Sequence, residues 1–376
     1  MASSEQPNRG RVEALGFLEG KEGYAAVGWV NRNLINHQQI ILLVNGHSVS
    51  ETYAGKRATD IRSEDNKDSL IKFAFRCDEL YSYLGNGDVI EFKCEGIPLD
   101  ISGHGYQYII KNNRESRVDE IIDKIKQGYV FDNLGRLIRA RDEESIKKAF
   151  RLYEDLEQFM KERYGYDLIV CFGTLLGAVR EGKFIKHDTR GLDAIYISAF
   201  SKPGDVVNEY IQVCFDLIEA GYMLRINRES AYVNSFKSGS RFVDLNYGWF
   251  NENDELNMAF GWYEKPAKGR NKYFSFREIN MAGQMIKIPG NAEDILFQLY
   301  GNNWHIPDQG FKHDVTKRII KTEYLLSYED VITILHDHLK HTYQALKYEK
   351  ENSGLKGTIK KVTPLTLKRL FRKVIG

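Results

Sequence analysis

The chain is short of cysteine, of net charge and of long apolar runs, and each shortage argues against a class of protein. Four cysteines occur in 376 residues, Cys77, Cys94, Cys171 and Cys214. None forms a Cys-x-x-Cys pair and each has apolar neighbours, which points to buried reduced thiols rather than a disulfide scaffold or a zinc site. Fifty-three Lys and Arg stand against 52 Asp and Glu, a net charge of +1. A molecule so balanced has no overall field to attract nucleic acid, so any preference for anions must be local. No stretch approaches the roughly 18 apolar residues of a membrane span. The opening "MASSEQPNRGRVEALGF" lacks the apolar core of a signal peptide. These absences lead us to expect a protein that works in the cytoplasm. There is no internal repeat and no low-complexity segment.

What remains is a globular balance, 42% hydrophobic and 28% charged. The length favours two domains over one. From Arg11 to about Ile110 the signals are β. Asn45-Gly46 lies between two strand candidates, the strongest short-range hairpin signal. In "DVIEFKC" Ile90, Phe92 and Cys94 share one face, and Glu91 and Lys93 the other, as a half-buried strand requires. We read residues 11–110 as an all-β sandwich, an accessory module made for packing or for touching carbohydrate. Residues 111–141 read as a connector with one short helix.

From Asp142 the apolar period becomes helical, with Ile146, Ala149, Phe150, Tyr153 and Leu156 on one face. Strand candidates "DLIVCF", "LDAIYIS", "YMLRI", "AYVNSF" and "RFVDLNYGWF" follow, with a helix over 205–220. Residues 142–313 therefore read as an α/β (α+β) domain, and 314–376 as a mainly helical extension. The chain's end, from Lys356 onward, carries seven Lys or Arg and no acid. Leu367, Leu370, Phe371 and Val374 fall on one helical face, a pattern suited to a membrane surface or to a docking partner.

The chemistry concentrates in "FGTLLGAVREGKFIKHDTRGLDAIYIS", 172–198. A strand should enter at Cys171-Phe172, and Gly173-Thr174 should start a helix whose free N–H groups suit a phosphate. Asp193 begins the next strand, and Asp188 precedes it by five residues. Asp244 lies inside an apolar β-like run. Three acids so placed are candidates to hold Mg²⁺. The basic "KPAKGRNKY" (265–273) reads as a solvated loop. Tyr247, Trp249, Trp262 and Tyr263 read as core or as sugar-stacking aromatics.

"GTLLGAVREGKFIKHD" resembles the LicD/fukutin signature "GTLLGAVR.G.FI..D". "IPGNAEDILFQLYGNNWHIPD" (288–308) resembles that family's distal signature, in the right order. The resemblance spans roughly 145–310, and it implies a nucleotidyltransferase-like domain. It further implies transfer of a phospho-alcohol (phosphocholine, glycerol phosphate or ribitol phosphate) from a CDP-activated donor to a hydroxyl of a cell-surface glycan. The cofactor implied is Mg²⁺ or Mn²⁺, and the acceptor is a glycan, lipid-linked or free, with no nucleic acid involved. Gly173, Thr174, Arg180 and Arg190 are then expected at the donor phosphates. Asp188, Asp193 and Asp244 are expected as metal ligands and catalytic groups. A glycan carrier on the membrane would give the basic tail a peripheral place on its inner face.

The sequence departs from the family at one place. The usual cluster ends Asp-x-Asp, but here Gly191 stands two residues before Asp193. Either Gly191 allows a turn, in a conformation closed to β-branched residues, that brings Asp188 into the missing ligand position, or the site is weakened or lost. In the first case Arg190 contacts phosphate; in the second it replaces the metal's charge. His187 is expected to orient its neighbours. The alternative function is therefore a non-catalytic, glycan-binding or scaffold member of the same fold. A nucleic-acid nucleotidyltransferase is suggested by fold analogy alone, and the neutral charge argues against it.

Overall fold

The structure is a computed structural model that describes residues 9–15, 26–57, 69–132, 134–186, 188, 191–235, 242–259, 266–307, 311 and 322–352, with backbone alone at 56–57 and 342–352. The fold is mixed α/β, with several sheets and seven α-helices among the described residues. The chain divides into two compact units. The first comprises Met1–Asp142, Lys183–Thr189 and Tyr300–Asp314, and the second Glu143–Gly182, Arg190–Leu299 and Val315–Gly376.

The first unit holds β1 (Gly10–Ala14), β2 (Ala26–Asn31), β3 (Gln39–Val44), β4 (His47–Tyr53), β5 (Lys56–Arg57), β6 (Leu70–Phe75), β7 (Val89–Cys94), β8 (Ile97–Pro98), β9 (Asp100–Ile101) and β10 (Tyr108–Ile109). After these come α1 (Val118–Lys126), β11 (Tyr129–Phe131) and β12 (Leu137–Arg139). One five-stranded sheet has the order β5-β6-β2-β1-β9; the other runs β10-β7-β3-β4, with β8 on β7. Asn45 (φ 51°) and Gly46 (φ 79°) both take the left-handed conformation that a tight β3–β4 turn needs. Period-two burial of Ile40, Leu42 and Val44 on β3, and of Ile90, Phe92 and Cys94 on β7, gives that sheet one apolar face. Val30 and Phe75 of the other sheet join the same core, and the Phe75 and Phe92 rings lie 5.5 Å apart.

This division and the boundaries read from sequence do not coincide. The 111–141 stretch, read from sequence as a connector with one short helix, contains α1, β11 and β12, and its Val118, Ile121, Ile122 and Phe131 belong to the first unit's core. The i, i+3, i+4 spacing on α1 aligns its three on one helix face. Lys183–Thr189 and Tyr300–Asp314 also group with the first unit, although 183–189 and 300–313 belong to the 142–313 span read from sequence.

The second unit begins with α2 (Glu143–Tyr164), β13 (Ile169–Val170), α3 (Phe172–Glu181), β14 (Leu192–Ile197), α4 (Pro203–Glu219), β15 (Met223–Ile226), β16 (Ser230–Asn234), β17 (Val243–Phe250) and β18 (Leu256–Met258). It continues with α5 (Arg270–Phe274), β19 (Arg277–Met281), β20 (Gln284–Ile288), α6 (Ala292–Tyr300) and α7 (Tyr328–Asn352). The central sheet runs β13-β14-β17-β16-β15, with β18 on β17. β14 and β17 are parallel, and their other pairings are antiparallel. Tyr210 of α4 stacks on Tyr247 of β17 at 4.1 Å, so α4 covers the sheet face from which Tyr247 and Trp249 project. Both of these aromatics are fully buried core residues.

Other expectations meet the structure unevenly. Part of the basic 265–273 stretch is helix α5, and its Tyr273 is buried with its ring edge-on to Phe250. All four cysteines are buried, and none is in a disulfide. No described helix is long and apolar enough to cross a membrane. The basic tail, Trp262 and Tyr263 lie outside the described residues.

Candidate active site

Asp193 and Asp244 each occupy the second position of their strand. Leu192 and Val243 before them, and Ala194 and Leu245 after them, are wholly buried. Alternation sends both carboxylates to the opposite sheet face from those apolar neighbours. The parallel register pairs Leu192 with Val243, Asp193 with Asp244 and Ala194 with Leu245. Neighbouring strands lie about 4.8 Å apart, so the two acids stand side by side on one face, at the end where the strands begin. Both are partly accessible.

The Gly-Thr turn meets the first of these acids. The Thr174 hydroxyl accepts a hydrogen bond from the Asp193 N–H at 2.8 Å. That hydroxyl and the Thr174 N–H both approach Asp193 Oδ2, at 3.4 and 3.2 Å. A buried Thr174 thereby ties the start of α3 to the start of β14, and the helix N-terminus favours the Asp193 charge. The chain enters this helix differently from the sequence reading. β13 ends at Val170, Cys171 is extended, and Phe172 is already the first helical residue, with φ 42°. The left-handed conformation falls on Phe172 and not on Gly173, which is the second residue of the helix. A bulky side chain held there stores about 1–3 kcal/mol, a cost that gathers at functional sites. Burial pushes the Cys171 thiol pKa well above its ordinary value, and the charges of Asp193 and Asp244 add to the effect.

The row of the two acids extends further across the sheet. Tyr232 of β16 is the register partner of Asp244, and Arg225 of β15 is the partner of Tyr232. Asp193, Asp244, Tyr232 and Arg225 therefore share one face on four successive strands. The Arg225 guanidinium lies over the Tyr232 ring at 5.6 Å, and the Phe242 ring meets it edge-on at 4.8 Å. The sequence reading missed Tyr232 and Arg225. Both lie in strands that it recognised, but only the pairing of those strands aligns them with the acids.

Arg180 lies in the last turn of α3 with its side chain 8% exposed, and its guanidinium donates to Glu181 at 2.6 and 3.2 Å. Asp188 groups with the first unit. Its N–H donates to the Ile185 carbonyl at 3.0 Å, and its own carbonyl accepts from Arg141 Nε at 3.2 Å. His187 and Arg190 lie outside the described residues. Gly191 departs from its expected role, because its φ is not in the left-handed region. What forbids a side chain there is close packing: a Cβ on Gly191 would stand 2.4 Å from the Phe242 ring and 2.8 Å from the Phe242 carbonyl.

Among the described residues, no three His, Cys, Asp or Glu side chains are grouped so as to hold a metal. Asp193 and Asp244 provide a pair of hard oxygen donors. Such a pair fits Mg²⁺ or Mn²⁺ in the usual way, with one or two carboxylates and the substrate's phosphates sharing the ion.

No family model matches the chain. No curated protein matches it either. Among solved structures, the lincosamide antibiotic adenylyltransferase LnuA with lincomycin bound aligns over 52% of this chain and 98% of its own, with 13% identity and a TM-score of 0.26. Similarity at that level carries no argument about activity. The LicD/fukutin resemblance accordingly rests on its two sequence motifs.

Proposed function

We propose that the second unit is a metal-dependent transferase of the LicD type, moving a phospho-alcohol from a CDP-activated donor to a glycan hydroxyl. The observation that carries this reading is the pairing of Asp193 with Asp244 on one sheet face, with Thr174 of the Gly-Thr motif bound to Asp193. A bound Mg²⁺ or Mn²⁺ would neutralise charge on the donor diphosphate. Asp193 and Asp244 would hold that ion, and Asp244 is the first candidate to take the acceptor's proton. Gly173, Thr174 and Arg180 would face the donor phosphates. Asp188 and Arg190 keep, on the sequence argument, the parts of metal ligand and phosphate contact. The first unit would be a β-sandwich accessory module and the C-terminal segment a helical extension. Their setting would be the cytoplasm, with the basic tail on the membrane's inner face.

The test is release of CMP from CDP-choline, CDP-glycerol and CDP-ribitol by the full chain, with glycan acceptors, with and without Mg²⁺. Acceptor-dependent CMP release that requires the cation supports the reading. Asp188→Asn in the same assay tests that residue separately. A second reading, a non-catalytic glycan-binding or scaffold member of the same fold, is favoured by Gly191, which stands where the family places an acid and packs too tightly against Phe242 to admit one. Absence of turnover with every donor would select it.

A further inference from the structure

The segment that follows α6 contributes to a site of its own. Gly301 takes φ 79° and turns the chain out of the helix. The Asn303 side-chain amide then donates to the Gly55 carbonyl just after β4. Ile306 approaches the same residue so closely that a Cβ on Gly55 would lie 3.1 Å from its Cγ2. These contacts, all within the first unit, close one side of a cleft of about 450 Å³.

The cleft's lining indicates what it would hold. Among the described residues that line it, the polar groups are Arg32, Gln38, Asn302, Asn303 and His305, and none is a carboxylate. Arg32, Asn302 and His305 are exposed. Ile71 and Ile306 supply an apolar patch. Amide side chains offer a donor and an acceptor side by side, which suits vicinal hydroxyls. The Arg32 guanidinium suits a carboxylate or phosphate. The apolar patch suits the C–H face of a pyranose. The volume falls in the range of small-ligand pockets.

We propose that the first unit binds, in this cleft, a saccharide that carries one carboxylate or phosphate group. Arg32 takes the anion, and Gln38 and Asn302 take ring hydroxyls. This reading stands apart from the transfer reaction, because binding is measured without turnover. Full-length protein is titrated with glucuronic acid, glucose 6-phosphate, glucose and inorganic phosphate, followed by saturation-transfer NMR and calorimetry. At least one charged sugar saturates, and comparing the two identifies the preferred anion. Glucose and inorganic phosphate each bind at least about tenfold more weakly than that sugar. Arg32→Gln reduces the charged sugar to the level of glucose, and Asn302→Ala weakens it further; both positions are exposed, so the fold tolerates the changes. Three results overturn the proposal: neither charged sugar saturates, Arg32→Gln binds as the parent does, or inorganic phosphate binds as tightly as the sugar phosphate.

Discussion

Asp193 and Asp244 are register partners on adjacent parallel strands, with both side chains on one sheet face. Two carboxylates about 5 Å apart repel by about 3 kcal/mol at an effective dielectric of 20. A divalent cation held by both relieves that repulsion and adds its own binding energy. Saturating Mg²⁺ should raise the thermal midpoint by about 3 °C or more. Asp244→Asn should raise the midpoint without Mg²⁺ and abolish the Mg²⁺ increment. An equal increment in parent and variant would show that the pair holds no metal.

Asp193 has a second duty, its bonds to Thr174, so substitutions there separate two effects. Asp193→Asn keeps an acceptor for Thr174 and should abolish transfer at a stability cost below that of Asp193→Ala. The alanine variant leaves the buried Thr174 hydroxyl without its carboxylate partner, and should lose about 1–3 kcal/mol in denaturant melts. Equal stability of the two variants would mean that these bonds contribute nothing.

Gly191 is constrained by space and not by its backbone angle. Gly191→Ala should destabilise by about 1–3 kcal/mol through overpacking. Phe242→Ala in the same chain should recover part of that loss, because it removes the ring a new Cβ would strike. A double-mutant cycle measures the coupling, and strictly additive losses would refute this account.

Glu209 on α4 has its pKa raised by burial, with the hydrogen bond from the Tyr166 hydroxyl working against the shift. A carboxyl with a raised folded-state pKa binds its proton more tightly in the folded chain. Its favourable contribution is complete below the unfolded value, near 4.3, and is lost as pH rises through the folded value. Glu209→Gln keeps an acceptor for Tyr166 and does not titrate. The variant's gain in thermal midpoint over the parent should therefore grow from pH 4 upward and level off above the folded pKa. A gain that does not change with pH would show that Glu209 is not the titrating group.

Removal of the residues after Leu355 should release the protein from anionic vesicles and leave transfer in solution intact. Each basic residue near an anionic surface contributes about 1 kcal/mol, and the segment carries seven. Unchanged co-sedimentation of the truncated chain would assign the tail another role.

Much of the local structure follows from the sequence alone. Asn45-Gly46 specifies a tight turn because both positions tolerate positive φ. The alternation of Ile90, Phe92 and Cys94 specifies a half-buried strand. The helix that contains the Gly-Thr motif and the strand carrying Asp193 are likewise encoded over a few residues. The tertiary structure decides what those local signals leave open. Alternation fixes which residues of a strand share a face, but not which strand lies beside it or at what register. A slip of one residue between β14 and β17 would put Asp244 on the face away from Asp193. Long-range pairing also brings Tyr232 and Arg225 into the row of acids. Close packing explains Gly191, whose restraint comes from Phe242, 51 positions along the chain. Packing likewise joins Asn303 and Ile306 to Gly55, because a glycine there leaves room for an isoleucine that no nearby residue in the sequence announces.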